Sequence, residues 1–394
     1  MTNLIWLSGH ERLINDIVHA DNCSLEDADG NRYVDLESGV WCTPIGHGHP
    51  DVLAVMAAQA GRIAHSGFCY ASATVEEAAA ALLALHGMTG GKCVFLCSGS
   101  EAVEYGVRVA QVVSQRPMLM TMADSYFGAY GSAFQRDRNA WFSFDWTACA
   151  DCPFTGACSA ACTHWAEIPF DKIGGFLFEP GSSSGLVRFP PDKLIQSMVG
   201  AVKADGGLLL VNEVTTGVGR TGEWFGYQHY GLTPDIVAMG KGIGNGYPVS
   251  VAVMAPALAD GLDARPVPYA QSHMNDPLGA AIAARVVEII RAEGLIQRGR
   301  DIATMLMAGL AQIQSRTDAI AALRSRGLMV AVELQDDDRA ARTTRIHHRL
   351  VQRGYVLAQR PGLNVLRIDP SLTIDRADIE GFLVVFEEVL NSGS

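Results

Sequence analysis

The stretch GGLLLVNEVTTGVGRTG, residues 206–222, decides how the rest of the chain is read. Residues 208–211 form a short apolar run of the kind that makes a buried strand. The run stops at Asn212 and Glu213 and passes into a glycine-rich loop. An amide and a carboxylate at the end of a buried strand stand either where a ligand binds or where a loop is anchored.

Outward from this stretch the pattern repeats. KCVFLC (92–97), PMLMTM (117–122), GGFLFE (174–179), DIVAMG (235–240) and SVAVMA (250–255) are further short apolar runs. Helical segments lie between them, among them EAVEYGVRVAQVV (101–113). Short apolar strands alternating with helices predict a mostly parallel sheet covered on both faces. Ligands of such sheets sit beyond the carboxyl ends of the strands. The polar residues there are Ser98–Ser100, Glu179, Asn212 and Lys241.

Ahead of this series, residues 25–36 read as two strands around an Asp-Gly-Asn turn, and 50–65 and 74–87 as helices. After it, residues 275–294 read as a helix with Pro277 at its first position. Residues 327–334 and 364–368 then read as strands, and 342–354 and 375–391 as helices. These last elements make a smaller α+β unit.

Composition narrows the function classes. The chain has 394 residues, 48% hydrophobic and 18% charged, which suits a globular protein with a large core. Thirty Lys and Arg face 42 Asp and Glu, for a net charge of -12. An acidic chain without a basic run is a poor nucleic-acid binder. The start carries no signal-peptide pattern, and no apolar run approaches a membrane span. The expectation is a cytoplasmic enzyme acting on small molecules, with no nucleic-acid or membrane partner.

Two constellations carry chemistry. SGSE (98–101) joins a strand to a helix start, where free amides and the helix dipole suit a phosphate; an ordinary capped helix would look the same. Lys241, in MGKGIGNGYP, stands one residue past a strand among glycines. A lysine so placed can form a Schiff base with an aldehyde. It does not fit a P-loop, which needs Ser or Thr after its lysine.

Together these segments resemble the class III aminotransferases, fold-type I enzymes that depend on pyridoxal phosphate (PLP). LEDADGNRYVDLESGVWCTPIGHGHP (25–50), SGSEAVE (98–104), SYFG (125–128), FEP (178–180), NEVTTGVGRTG (212–222), PDIVAMGKGIGNGYP (234–248), SHMNDPLGAAIAA (272–284) and VLRIDPSL (365–372) follow in family order. The resemblance implies a large PLP-binding domain over 49–290. It also implies a small α+β domain over 291–394, joined by the amino-terminal segment 1–48. It implies transfer of an amino group from an amino acid or amine to a 2-oxo acid or aldehyde. Racemisation, epimerisation and decarboxylation belong to the same family chemistry. A protein of low turnover that binds PLP or a metal cluster is the alternative from another class.

The resemblance also implies roles. Lys241 would hold PLP as a Schiff base and carry the Cα proton. Gly99 and Ser100 would bind the phosphate, Tyr126 would stack on the ring, and Val214 would pack on its other face. Glu179 would lie near the substrate side. Ser272 would reach the phosphate of the neighbouring subunit in a homodimer. Arg367 would grip a substrate carboxylate. Trp41 and Phe127 would line the substrate pocket, Phe127 in place of the family's usual His. Asn212 stands where the family has Asp beneath the pyridine nitrogen, so an amide replaces a carboxylate.

Nine cysteines are present, and four lie close together in CADCPFTGACSAAC (149–162). Cys149, Cys152, Cys158 and Cys162 have the spacing C-x2-C-x5-C-x3-C. Such spacing suits zinc or an iron–sulfur cluster, or else marks a loop of reduced, idle thiols. Some class III enzymes have a Cys-x2-Cys pair here, and in one subgroup it carries a cluster.

Overall fold

The structure is a computed structural model that describes residues 3–67, 69–114, 116–336 and 340–392, with the main chain alone at Asp263. Its centre is a seven-stranded sheet. The strand order is Lys92–Leu96, Ser250–Met254, Ile236–Met239, Leu208–Asn212, Ile173–Phe178, Met118–Met122, Trp141–Phe144. Ile173–Phe178, Ile236–Met239 and Ser250–Met254 are buried along their whole length. That is why they read as continuous apolar runs without alternation. Helices Gly99–Val113, Asp192–Ala204 and Pro277–Ala292 bury their apolar faces in the surrounding core. Among the described residues, no helix is long and apolar enough to cross a membrane.

The sheet is mostly parallel, as the sequence pattern predicts, and Ser250–Met254 runs against both its neighbours. The connection from Ile236–Met239 explains the reversal. Residues 240–249 are fewer than the dozen or so that a parallel crossover needs. Every other strand points the same way, so the ends at Leu96, Met122, Phe178, Asn212 and Met239 share one edge of the sheet.

Two smaller sheets lie at the chain termini. Ile17–Asp21, Ser24–Asp27 and Arg32–Asp35 form one, completed by Tyr355–Val356 parallel to Arg32–Asp35. Ile320–Arg326, Met329–Leu334, Val365–Ile368 and Ala358–Gln359 form the other. The amino-terminal segment is thereby sewn to the carboxyl-terminal one. The Asp369 N–H donates to the Leu36 carbonyl at 2.7 Å, and the Leu372 N–H to that of Pro44 at 2.7 Å.

Residues 38–41 form a turn with positive φ throughout, from 48° at Ser38 to 66° at Trp41. Only Gly39 adopts this conformation freely; each other residue costs about 1–2 kcal/mol. Side chains hold the turn in place. Asp35 accepts the Glu37 and Gly39 N–H groups at 2.9 Å each, and Arg220 donates to Ser38 Oγ at 2.8 Å. Strain that its surroundings enforce is typical of functional segments.

Glu213 does not face the same way as Asn212. Its carboxylate accepts the Gly226 and Tyr227 N–H groups at 2.8 Å each and the Thr216 hydroxyl at 2.7 Å. It is fully buried, and burial pushes its carboxyl up to about 7 against the pull of those donors. Glu213 therefore anchors the loop that follows the strand. Glu213→Gln would set an amide N–H against a backbone N–H. The expected loss is about 1–3 kcal/mol in chemical denaturation; an unchanged midpoint would contradict this anchoring role.

Candidate functional site

At the carboxyl edge of the sheet lies a cavity of about 200 Å³. Gly99, Ser100, Tyr126, Phe127, Asn212, Val214 and Lys241 line it, with Val103, Gly128 and Thr215. Seven residues singled out in the sequence are thus brought together. One wall is the start of helix Gly99–Val113. Ser98 Oγ accepts the Glu101 N–H at 3.3 Å, and Glu101 reaches back to the Cys97 N–H at 3.1 Å. These bonds cap the helix, while the Gly99 and Ser100 N–H groups have no acceptor within it. The wall is also tight. A Cβ on Gly99 would lie 2.6 Å from Val214, and one on Gly128 would lie 2.5 Å from Ser100 Oγ.

Lys241 enters from the opposite side with φ 44°, a strained conformation for a residue with a side chain. Its amine donates to Thr215 Oγ1 at 3.2 Å and lies 5.4 Å from the Trp41 ring. Burial pulls its pKa below the ordinary lysine value, Arg367 and Arg360 pull the same way, and Cys42 and Glu179 oppose them. A lysine whose charged form is disfavoured gives up its proton more readily and so serves better as nucleophile and base.

Tyr126 is fixed through its backbone. Its N–H donates to Glu179 at 2.9 Å, and its carbonyl accepts from Asn212 at 3.0 Å. Glu179 does not line the cavity. It lies behind Tyr126, also accepts the Ser183 hydroxyl at 2.5 Å, and is pushed up to about 7 by burial. Its visible work is to position Tyr126. Ser272 is exposed on its turn and outside this cavity.

Trp41 and Arg367 line a second cavity of about 280 Å³, together with Glu37, Gln359 and Arg360. Arg367 is already engaged. It forms a two-pronged ion pair with Asp369 at 3.0 and 3.2 Å, and both side chains are almost wholly buried. Trp41 covers it at 4.1 Å and donates to the same carboxylate at 2.8 Å. Arg360 differs. It is half-buried and donates to the Ser183 carbonyl at 3.2 Å. Among the described residues no carboxylate pairs with it. Its charge is felt by Lys241 and Glu37, and it in turn senses Tyr126 and Glu179. In the sequence Arg360 stands in QRPG (359–362), which is indistinguishable from any polar turn.

The four cysteines line one larger cavity of about 710 Å³, with Phe154, Phe189 and Arg326. Burial and the three neighbouring thiols together raise Cys149 above the ordinary thiol value. The sulfurs are not drawn onto one point. Among the described residues, the group of three ligating atoms within 4.8 Å of one another is His65, His273 and Asp276.

The first cavity fits pyridoxal phosphate. A helix start stripped of side-chain bulk suits the phosphate, the space between Tyr126 and Val214 suits an aromatic ring, and the buried amine of Lys241 suits an aldehyde.

Known proteins resemble this chain in sequence and in fold. The leucine/methionine racemase of Thermococcus litoralis is 27% identical over 95% of this chain and 90% of its own. The mitochondrial alanine–glyoxylate aminotransferase 2 of Homo sapiens is 28% identical over 93% and 80%. The acetylornithine aminotransferase of Methanosarcina mazei is 28% identical over 92% and 89%. An amine transaminase of an uncultivated Pseudomonas species, solved in its PLP-bound form, superposes with a TM-score of 0.88 at 22% identity, over 100% of both chains. An S-selective transaminase of an Arthrobacter species gives 0.87 at 21%, over 99% and 96%; at such identity the likeness shows the fold. The model of the aminotransferase class-III family matches residues 7–135 and 155–390, passing over the stretch that holds Cys149 and Cys152. That match spans nearly the whole chain, and the protein belongs to the class-III aminotransferase family, whose chemistry is amino-group transfer with pyridoxal phosphate.

Proposed function

We propose that this chain moves an amino group from an amino acid or primary amine to a 2-oxo acid or aldehyde, with pyridoxal phosphate held at Lys241. The observation that carries this reading is the half-buried amine of Lys241, placed across one cavity from a capped helix start. When bound, pyridoxal phosphate supplies an aldehyde that takes up amines and a ring that accepts electrons from Cα. Gly99 and Ser100 hold its phosphate, Tyr126 and Val214 bracket its ring, and Asn212 meets its ring nitrogen. Lys241 carries the proton to and from Cα, with Thr215 steadying the amine. Trp41 and Phe127 bound the substrate. Ser272 completes the phosphate site of a second copy in a homodimer.

The substrate carboxylate falls to Arg360 in this reading. Arg367 has its charge balanced by Asp369, whereas among the described residues no carboxylate pairs with Arg360, whose charge reaches Lys241 from the cavity it lines with Trp41. PLP-loaded enzyme given an amino acid and a 2-oxo acid is expected to form the exchanged pair in equal amounts. Loss of chirality without exchange would support instead the racemase reading that one relative suggests. Arg360→Gln should raise KM for amino-acid donors about tenfold or more and leave KM for amines without a carboxylate unchanged. Arg367→Gln should instead lower the unfolding midpoint in chemical denaturation, because it strands Asp369 as a buried, unpaired charge. Equal effects of Arg360→Gln on both donor classes would contradict the assignment.

We further propose that Cys149, Cys152, Cys158 and Cys162 bind an iron–sulfur cluster. A tetrahedral zinc needs its four sulfurs about 3.8 Å apart, and the described thiols are more widely set around a roomy cavity. A cluster core separates its ligands further, which favours it over zinc. Protein purified without oxygen should carry iron and sulfide; less than about half an equivalent of either per chain would sink the proposal.

A further inference from the structure

The amide of Asn212 offers one acceptor and two N–H donors. Its Oδ1 accepts the Val214 N–H at 3.1 Å, and its Nδ2 donates to the Tyr126 carbonyl at 3.0 Å. A backbone N–H can only donate and a carbonyl can only accept. The two partners therefore fix which way the amide faces. Turning it over would set N–H against N–H at Val214 and oxygen against oxygen at Tyr126. Both partners are themselves held. Val214 is wedged against Gly99, and Tyr126 is tied to Glu179. One N–H of Asn212 then remains, on a side chain that is 3% exposed and lines the cavity.

We infer that Asn212 presents a hydrogen-bond donor to the ring nitrogen of pyridoxal phosphate and so keeps that nitrogen unprotonated. The inference rests on the reading that the cofactor binds in this cavity. A donor matches the lone pair of a neutral ring nitrogen and opposes the N–H of a protonated one. Nearby carboxylates do not reverse the sign. Glu213 is turned away and occupied by Thr216, Gly226 and Tyr227. Glu179 is occupied by the Tyr126 N–H and the Ser183 hydroxyl. The polarity at this point is thus the reverse of the one a carboxylate would set. An unprotonated ring draws electrons less strongly from Cα. The site would then favour donors whose Cα proton leaves easily, such as benzylic amines and aryl-substituted amino acids, over simple aliphatic ones.

The test uses the full chain loaded with pyridoxal phosphate labelled with nitrogen-15 in the ring. The bound label is expected to resonate as unprotonated pyridine across the pH range in which the protein is stable. Asn212→Asp should move the signal to the pyridinium position. A pyridinium signal in the unaltered protein would overturn the inference, whatever the variant does. Failure to retain labelled cofactor after desalting is a different result: it overturns the reading of the cavity itself.

Discussion

A sheet buried on both faces has nowhere to keep polar side chains except at the ends of its strands. Stripping a hydrogen-bonding group of water without a partner costs several kcal/mol. Strands such as Ile173–Phe178 and Ile236–Met239 are therefore apolar throughout. Because all but one strand run the same way, their polar ends collect along one edge. Glu179, Asn212 and Lys241 come from three adjacent strands and meet there for that reason. The site is a consequence of the sheet, and loops then refine it.

The refinement comes from the chain termini. The segment 36–44 and residues 367–372 are joined by backbone bonds, by the Arg220 guanidinium, which reaches Ser38 and the Pro370 carbonyl, and by the Trp41–Asp369–Arg367 group. This arrangement keeps the left-handed turn at 38–41 in its costly conformation and brings the Trp41 ring within 5.4 Å of the Lys241 amine and 4.1 Å of the Arg367 guanidinium. A buried ion pair is weak support for stability by itself. Its effect here is geometric. It fixes the indole and neutralises Arg367, leaving the half-buried Arg360 without a carboxylate partner among the described residues.

Much of this was legible in the sequence. The apolar runs located the strands of the large sheet, and the polar residues ending them located the cavity. Gly99, Ser100, Tyr126, Asn212, Val214 and Lys241 do converge. What was not legible depends on direction and on distant partners. The reversal of Ser250–Met254 is invisible, because a strand buried on both faces looks the same in either direction. The opposite headings of Asn212 and Glu213 follow from alternation along a strand, but which one faces the ligand depends on the loop at 226–227. The pairing of Arg367 with Asp369, two residues away, could be guessed; that no carboxylate among the described residues pairs with Arg360 could not. The turn at 38–41 contains a single glycine, so nothing local announces four positive φ angles.

Lys241 is one of five lysines in the chain, with Lys92, Lys172, Lys193 and Lys203. That small number makes the central claim easy to test. Borohydride reduction of the PLP-loaded protein should fix the cofactor covalently, and peptide mass mapping should then find it on Lys241 at close to one equivalent per chain. Label spread over the other lysines, or concentrated on one of them, would contradict the account.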